Sequence, residues 1–259
     1  MLSWPDEHQR RWLPHILLFI VVLIWSGNTV ISKIMIREMA PVELALARFS
    51  FGVLAFHLPV FLIFRRLGPS LERAEWKRLL MMGVIGAGTS MLLFTLGLNL
   101  MPATYVSLVM MTGPALTALL AWVLFREVLG WTRAAGTAIA FLGAALLVSG
   151  GQLADPQPGL LVGSALLITS QLAWAFYTLL GKPLLARRPP LVVMSAAHLF
   201  ALLSLWPLSI PLGGWSFLWH IPQWDSGIWL SLVYLAIVSA VTCSPSAAIA
   251  INAVIGGWR

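Results

Sequence analysis

Long apolar runs, each closed by charged or turn-forming residues, fill most of this 259-residue chain. Eight of them stand out, at 13–36, 41–64, 79–100, 104–125, 131–150, 159–181, 190–212 and 227–243. A helix needs ~20 apolar residues to cross a hydrocarbon core of ~30 Å. None of the runs alternates polar and apolar positions every second residue, as the strands of a barrel would. The pattern predicts an all-α integral membrane protein, a helical bundle of about eight transmembrane helices. The first run continues to Ile36 with no small-x-small cleavage site after it, so it reads as a retained helix and not as a signal peptide.

Composition narrows the choice of class. Hydrophobic residues make up 59% of the chain and charged residues only 10%, whereas soluble domains carry about 25% charged residues. A soluble enzyme, a disordered protein and a nucleic-acid-binding domain are all excluded on that ground, despite a net charge of +7. The single cysteine, Cys243, excludes an intramolecular disulfide framework.

The charge is an orientation signal. Arg10 and Arg11 precede the first run; Arg65, Arg66, Arg73, Lys77 and Arg78 lie between the second and third. Arg126 and Arg133 follow the fourth, and Lys182, Arg187 and Arg188 the sixth. The alternate connections hold Arg37 as their one basic residue, against Glu38, Asp155 and Asp225. The bias places the N-terminus in the cytoplasm of a multi-pass cell (inner) membrane protein. Trp12, Trp76 and Trp131 fall at inner boundaries. Trp215, Trp219, Trp224 and Trp229 crowd the outer connection before the last run, and most of these read as interface anchors.

An internal repeat lies beneath this pattern. At a constant offset of 149, Trp25 falls on Trp174, Thr29 on Thr178, Lys33 on Lys182, Pro41 on Pro190, Ala47 on Ala196 and Phe51 on Phe200. Residues 65–77 carry four basic residues, and 214–226, their equivalents, carry none. Equivalent loops of opposite bias belong on opposite sides of the membrane, the signature of an inverted repeat with a solute site between its halves. The expected organisation is a five-helix unit over 1–150 and an incomplete second unit over 159–259, with three helices and a short tail. Two full units would need about 300 residues, so the bundle reads as a ten-helix parent fold lacking its last two helices.

The segments WSGNTVISK and ELALARFSFG resemble the drug/metabolite transporter superfamily. So does MPATYVSLVMMTGPALTALLAWVLFREVLGWTRAAGTAIAFLGAALLVSGG, and the nearest likeness is to the EamA-type branch. The resemblance covers about residues 15–243. It implies ten helices in two inverted five-helix units, both termini inside, and carriage of metabolites or amino-acid-like solutes. This chain departs from the pattern in lacking the second Pro-to-Glu helix pair.

Several residues are candidates for chemistry. Arg48 lies seven residues past Pro41, about 10 Å down its helix, where a charge is expensive and faces the bundle interior or water. The competing reading is snorkelling to the outer headgroups, helped by Glu43. Lys33, on the outer side, runs against the orientation rule. With Arg48 it would make the outer half of a cavity electropositive, favouring solutes with a carboxylate. Trp25, Asn28, Trp174 and Tyr177 would line that cavity with aromatic and amide groups, core packing being the alternative for the two tryptophans. Pro114, in mid-helix, leaves the Met110 carbonyl without its helical donor, and reads as a packing kink or a gating element. Glu127 matches a family glutamate and reads as a structural helix-end contact. Ser170 and Gln171 add polar groups to the sixth run, and His57 and His198 are neutral-range titratable groups within the second and seventh. Stripes at Gly113/Thr117/Ala121, Gly136/Ala140/Ala144 and Gly159/Gly163 suit close helix contact. No carboxylate lies near mid-span, no metal-ligand or nucleophile spacing occurs, and no metal or cofactor is expected.

The expected function is secondary transport of small metabolites or amino-acid-like solutes across the inner membrane by alternating access. The alternative is a truncated, transport-incompetent membrane protein, a gene fragment or partner-dependent half-assembly. Expected partners are the lipid bilayer and a small-molecule solute, with a homodimer left open and no nucleic acid. No enzymatic role is expected.

Overall fold

The computed structural model describes residues 7–67, 71–126, 130–148 and 158–242. Eight long helical segments carry the described residues: α1 (Glu7–Met35), α2 (41–67), α3 (Arg73–Leu100), α4 (103–125), α5 (Trp131–Val148), α6 (Pro158–Leu185), α7 (Pro190–Ser209) and α8 (Ser226–Thr242). They coincide with the eight apolar runs to within a few residues at most ends. The main extensions are the α1 N-terminus, the α6 C-terminus and the α3 start, which runs six residues further into the charged connection. The protein is therefore an all-α membrane bundle. Among the described residues, stretches within α2, α3, α4, α6 and α7 are long and apolar enough to span a membrane, with shorter apolar helices at Ala134–Gly143 and Ser226–Val238.

Local chemistry sets the helix starts. Pro41 and Pro190 open α2 and α7, positions where a missing N–H leaves nothing unpaired. The runs are not uniform helices. In α2 a π-helical turn at Val53–His57 separates Pro41–Gly52 from Leu58–Leu67, and in α3 another spans Met82–Gly88. The helix α4 breaks at Met111 and Thr112.

Three buried clusters hold the bundle. Met35, Leu44, Leu46, Leu205, Leu232 and Leu235 join α1, α2, α7 and α8. Leu79, Met82, Tyr177, Val193 and Ala197 join α3, α6 and α7. Leu98, Met101, Val106 and Leu167 join α3, α4 and α6. Large apolar side chains such as Phe19, Ile139, Leu203 and Leu230 stay exposed on the perimeter, which suits a hydrocarbon solvent and not water.

Glycine decides how closely α3 approaches its neighbours. A Cβ on Gly83 would lie 2.4 Å from the Ala197 carbonyl oxygen, and one on Gly86 would lie 2.6 Å from the Tyr177 Cβ. Gly113 meets Gln171 and Gly163 meets Met101 in the same way, so these two stripes make helix contacts. The α5 stripe does not follow: a Cβ on Gly136 or Gly143 would meet nothing within 4 Å. Trp76 has partners within the bundle. It is half-buried, edge-on to Phe61 and Phe200.

Hydrogen bonds sort the connections between the two ends of the bundle. Lys33, at the end of α1, donates to carbonyls of Leu98 and Met101 at the end of α3. Glu43, at the start of α2, accepts a bond from Ser216 in the α7–α8 connection. At the opposite end, Arg188 in the α6–α7 connection pairs with Glu75 at the start of α3. The first end is the one poor in basic residues, and the second is the basic end.

Candidate functional site

Arg48 is the centre of the polar interior. Its helix places it one turn past Leu44, among the buried side chains Glu43 to Ser50, and only 9% of it is exposed. The guanidinium turns inward to α1: Nη1 donates to Ser32 Oγ at 2.9 Å and Nη2 to Asn28 Oδ1 at 2.8 Å. Asn28 and Ser32 are four residues apart, hence stacked on one face of α1. Among the described residues, the ion pairs involve Glu75 with Arg188 and Glu43 with His220, and none involves Arg48. A buried cation held only by an amide and a hydroxyl keeps its full charge uncompensated, and its desolvation costs several kcal/mol. Two of its five N–H donors are used by these bonds. The arrangement can take an anionic oxygen.

Glu43 does not draw Arg48 to the membrane surface. Its Oε2 accepts the Ala40 N–H at 2.8 Å, the back-bond of a capping box, and its Oε1 accepts from Ser216 Oγ at 2.5 Å.

Lys33 sits elsewhere. Its Nζ donates to the carbonyls of Leu98 at 2.6 Å, Met101 at 2.8 Å and, more weakly, Asn99 at 3.4 Å. These are carbonyls at the C-terminal end of α3, which have no intrahelical donor and favour a cation. The cap gives Lys33 a structural account that sequence reasoning lacked, because backbone carbonyls leave no trace in side-chain pattern.

Trp174 and Tyr177 form a second cluster. Their rings stack at 4.9 Å, and Tyr177 meets His198 edge-on at 5.9 Å. His198 stacks on Phe49 at 5.5 Å and on His57 at 4.5 Å. His198 Nδ1 lies 2.7 Å from the Met194 carbonyl, and His57 Nδ1 lies 3.3 Å from Ser195 Oγ. The histidines, unremarkable singly in the sequence, are thus partners across α2 and α7. Phe49, next in sequence to Arg48, links the two clusters. Trp25 lies in α1, but its side chain is outside the described residues, as is the whole of Glu127.

The Pro114 site is built across α4 and α6. Pro114 follows Gly113 at the start of the second α4 segment. The Met110 carbonyl that it deprives of a donor accepts instead from Gln171 Nε2 at 2.8 Å. Ser170, adjacent, donates to the Ser90 carbonyl of α3 at 2.8 Å. In hydrocarbon such groups need an internal partner, and α6 supplies both. Metal-binding groupings of His, Cys, Asp and Glu do not occur among the described residues.

A multi-pass helical bundle with an interior cation and a proline-broken helix has the build of a membrane transport protein. The comparisons with known proteins make this specific. The model of the EamA-like transporter family matches residues 12–149, more than half of the chain, and the chain belongs to that family. It is 28% identical to an uncharacterized transporter of Archaeoglobus fulgidus, over 77% of this chain and 68% of the relative. It is 26% identical to the uncharacterized transporter YyaM of Bacillus subtilis, over 88% of this chain and 75% of that one. It is 27% identical to a protein of Escherichia coli named as a probable amino-acid metabolite efflux pump, over 87% of this chain and 74% of the relative. No solved structure matches it. The family and these relatives make the protein a membrane transporter of small solutes and not an enzyme.

Proposed function

We propose that the protein is a secondary transporter of the inner membrane that carries small solutes bearing a carboxylate by alternating access, with Arg48 as the anion-binding group. The observation that carries this reading is the buried Arg48 guanidinium, held on Asn28 and Ser32 without a carboxylate among the described residues. A solute carboxylate would supply the missing negative charge in the bidentate geometry that guanidinium favours. Asn28 and Ser32 act as positioning residues, and the Trp174–Tyr177 stack, linked to Phe49 through His198, offers apolar surface to the rest of the solute. The E. coli relative's printed name makes amino-acid metabolites the first solutes to test. Pro114 and the α4 break serve as the flexible element of the cycle.

The N-terminus is placed in the cytoplasm, so that the basic end of the bundle is the inner one. A five-helix unit over 1–150 and an inverted, incomplete second unit over 159–259 form the frame, the tail past Thr242 lying outside the described residues. The extent of the family match and the proline that starts both α2 and α7 support that division.

Export of amino-acid metabolites from cells expressing the chain, against cells carrying an empty vector, tests the reading. Arg48→Ala should abolish the difference while membrane abundance stays at the wild-type level. Export that persists unchanged in Arg48→Ala rejects the anion site.

A further inference from the structure

Two glutamates occupy the same local position at opposite ends of the bundle. Glu43 is the third residue of α2 and accepts the N–H of Ala40. Glu75 is the third residue of α3 and accepts the N–H of Glu72 at 2.9 Å. In each case the back-bond fixes the carboxylate at a helix N-terminus, where the backbone favours negative charge. Both then reach out of their own unit, and both reach a segment flanking α7. Glu75 takes a two-pronged bond from Arg188, two residues before α7 begins, with Nε to Oε1 at 2.9 Å and Nη2 to Oε2 at 2.8 Å. This bonding raises the Arg188 pKa above its ordinary value. Glu43 takes the Ser216 hydroxyl, in the connection after α7, and faces His220 Nδ1 at 4.0 Å. The Ser216 backbone N–H donates to the Gly213 carbonyl at 3.1 Å, and Gly214 is pressed against Val42 and Ser209, so the connection is seated on α2 and the end of α7.

Between these two straps, α7 has a tight contact and no slack. The backbone of Ala197 lies against Gly83 of α3 so closely that a single Cβ would not fit, and Ala201 and Ser204 crowd Gly83 and Gly88 there as well. A helix pinned at its middle and strapped at both ends has one low-cost large motion. It tilts about the middle, which separates one end as it presses the other.

We propose that Glu75–Arg188 and Glu43–Ser216 are the two gates of the transport cycle, acting on the opposite ends of α7 about a pivot at Gly83–Ala197. In the structure both straps are made, as the occluded step of such a cycle requires. The inner strap is a charged fork and the outer one a hydroxyl with a more distant imidazole, so the inner strap is the stronger. The outer end therefore opens more readily. This inference rests on the alternating-access reading above, but neither glutamate belongs to the Arg48 site.

The test uses the full chain in lipid nanodiscs, without solute, with Cys243→Ser as background. Spin labels at cysteines replacing the exposed Lys77 and Arg187 report the inner end; labels replacing the exposed Glu38 and Trp219 report the outer end. Glu75→Gln preserves the acceptor for the Glu72 N–H and removes only the charge pair, and Arg188→Gln removes the other partner. Both should shift the inner distance distribution to longer values and leave the outer one unlengthened. Glu43→Gln should lengthen the outer distances alone. Inner distances unchanged in both single variants overturn the proposal. Straps that open without any solute being carried would leave the gates standing and reject the transport reading. Solute carried with all inner distances fixed would reject the gates alone.

Discussion

At the scale of single residues, the decisive contrast is between two cations five helical turns or less from one another in sequence terms, Arg48 and Lys33. Both interrupt apolar runs and both were legible as anomalies in the sequence. Their partners separate them. Arg48 is bound by a neutral amide and a hydroxyl and keeps its charge available, whereas Lys33 is taken up by the end of α3. Ser32 was not singled out in the sequence, because its pairing with Arg48 depends on how α1 and α2 face each other. Lys33→Met should lower stability by about 1–2 kcal/mol, the loss of charged hydrogen bonds at a half-exposed site. It should leave solute affinity unchanged. Thermal unfolding in detergent and the apparent KM of transport check the two halves of that expectation, and a large rise in KM would return Lys33 to the solute site.

At the scale of elements, the helices themselves were readable from apolar periodicity and length, and the broken α4 from its proline. The repair of that break was not. The bond from Gln171 to the Met110 carbonyl joins helices 61 residues apart, and nothing in local sequence states which amide meets which carbonyl. Gln171→Leu should leave that carbonyl unpaired and cost roughly 1–3 kcal/mol, read as a lower unfolding midpoint; a midpoint equal to wild type would show that the bond is dispensable. The π-helical turns in α2 and α3 were equally invisible, since no residue type demands them. Glycine stripes look alike in sequence but differ in space. Gly83→Ala, with backbone in the way, should destabilise by roughly 1–3 kcal/mol or more. Gly136→Ala, facing open space, should be neutral or stabilising by up to about 1 kcal/mol. Equal effects of the two on thermal stability would contradict the packing described for α3 and α7.

At the scale of the whole molecule, the basic residues predicted which connections share an end of the bundle, and the structure's own bonds group the connections that they join in the same way. The Lys33, Glu43 and Arg188 contacts each link segments that the charge bias assigns to one side. The agreement has a physical reason: loops of a multi-pass bundle cannot cross the hydrocarbon core, so charge, connectivity and contact must sort together. Function was legible down to the class, through composition and the family likeness, and Arg48 was legible as a charge within an apolar helix. The histidine stack and the straps on α7 were not, because each joins residues more than a hundred positions apart.

The central claim is that the chain carries a small carboxylate-bearing solute through Arg48. Counterflow with the purified protein in proteoliposomes tests it without interference from other carriers. Vesicles loaded with unlabelled amino acids and their carboxylate metabolites should accumulate the radiolabelled counterpart with the wild-type protein. Arg48→Ala, reconstituted at equal density, should reduce that accumulation to the level of empty vesicles. Equal accumulation by wild type and Arg48→Ala, or none by the wild type with any solute of the class, would contradict the account.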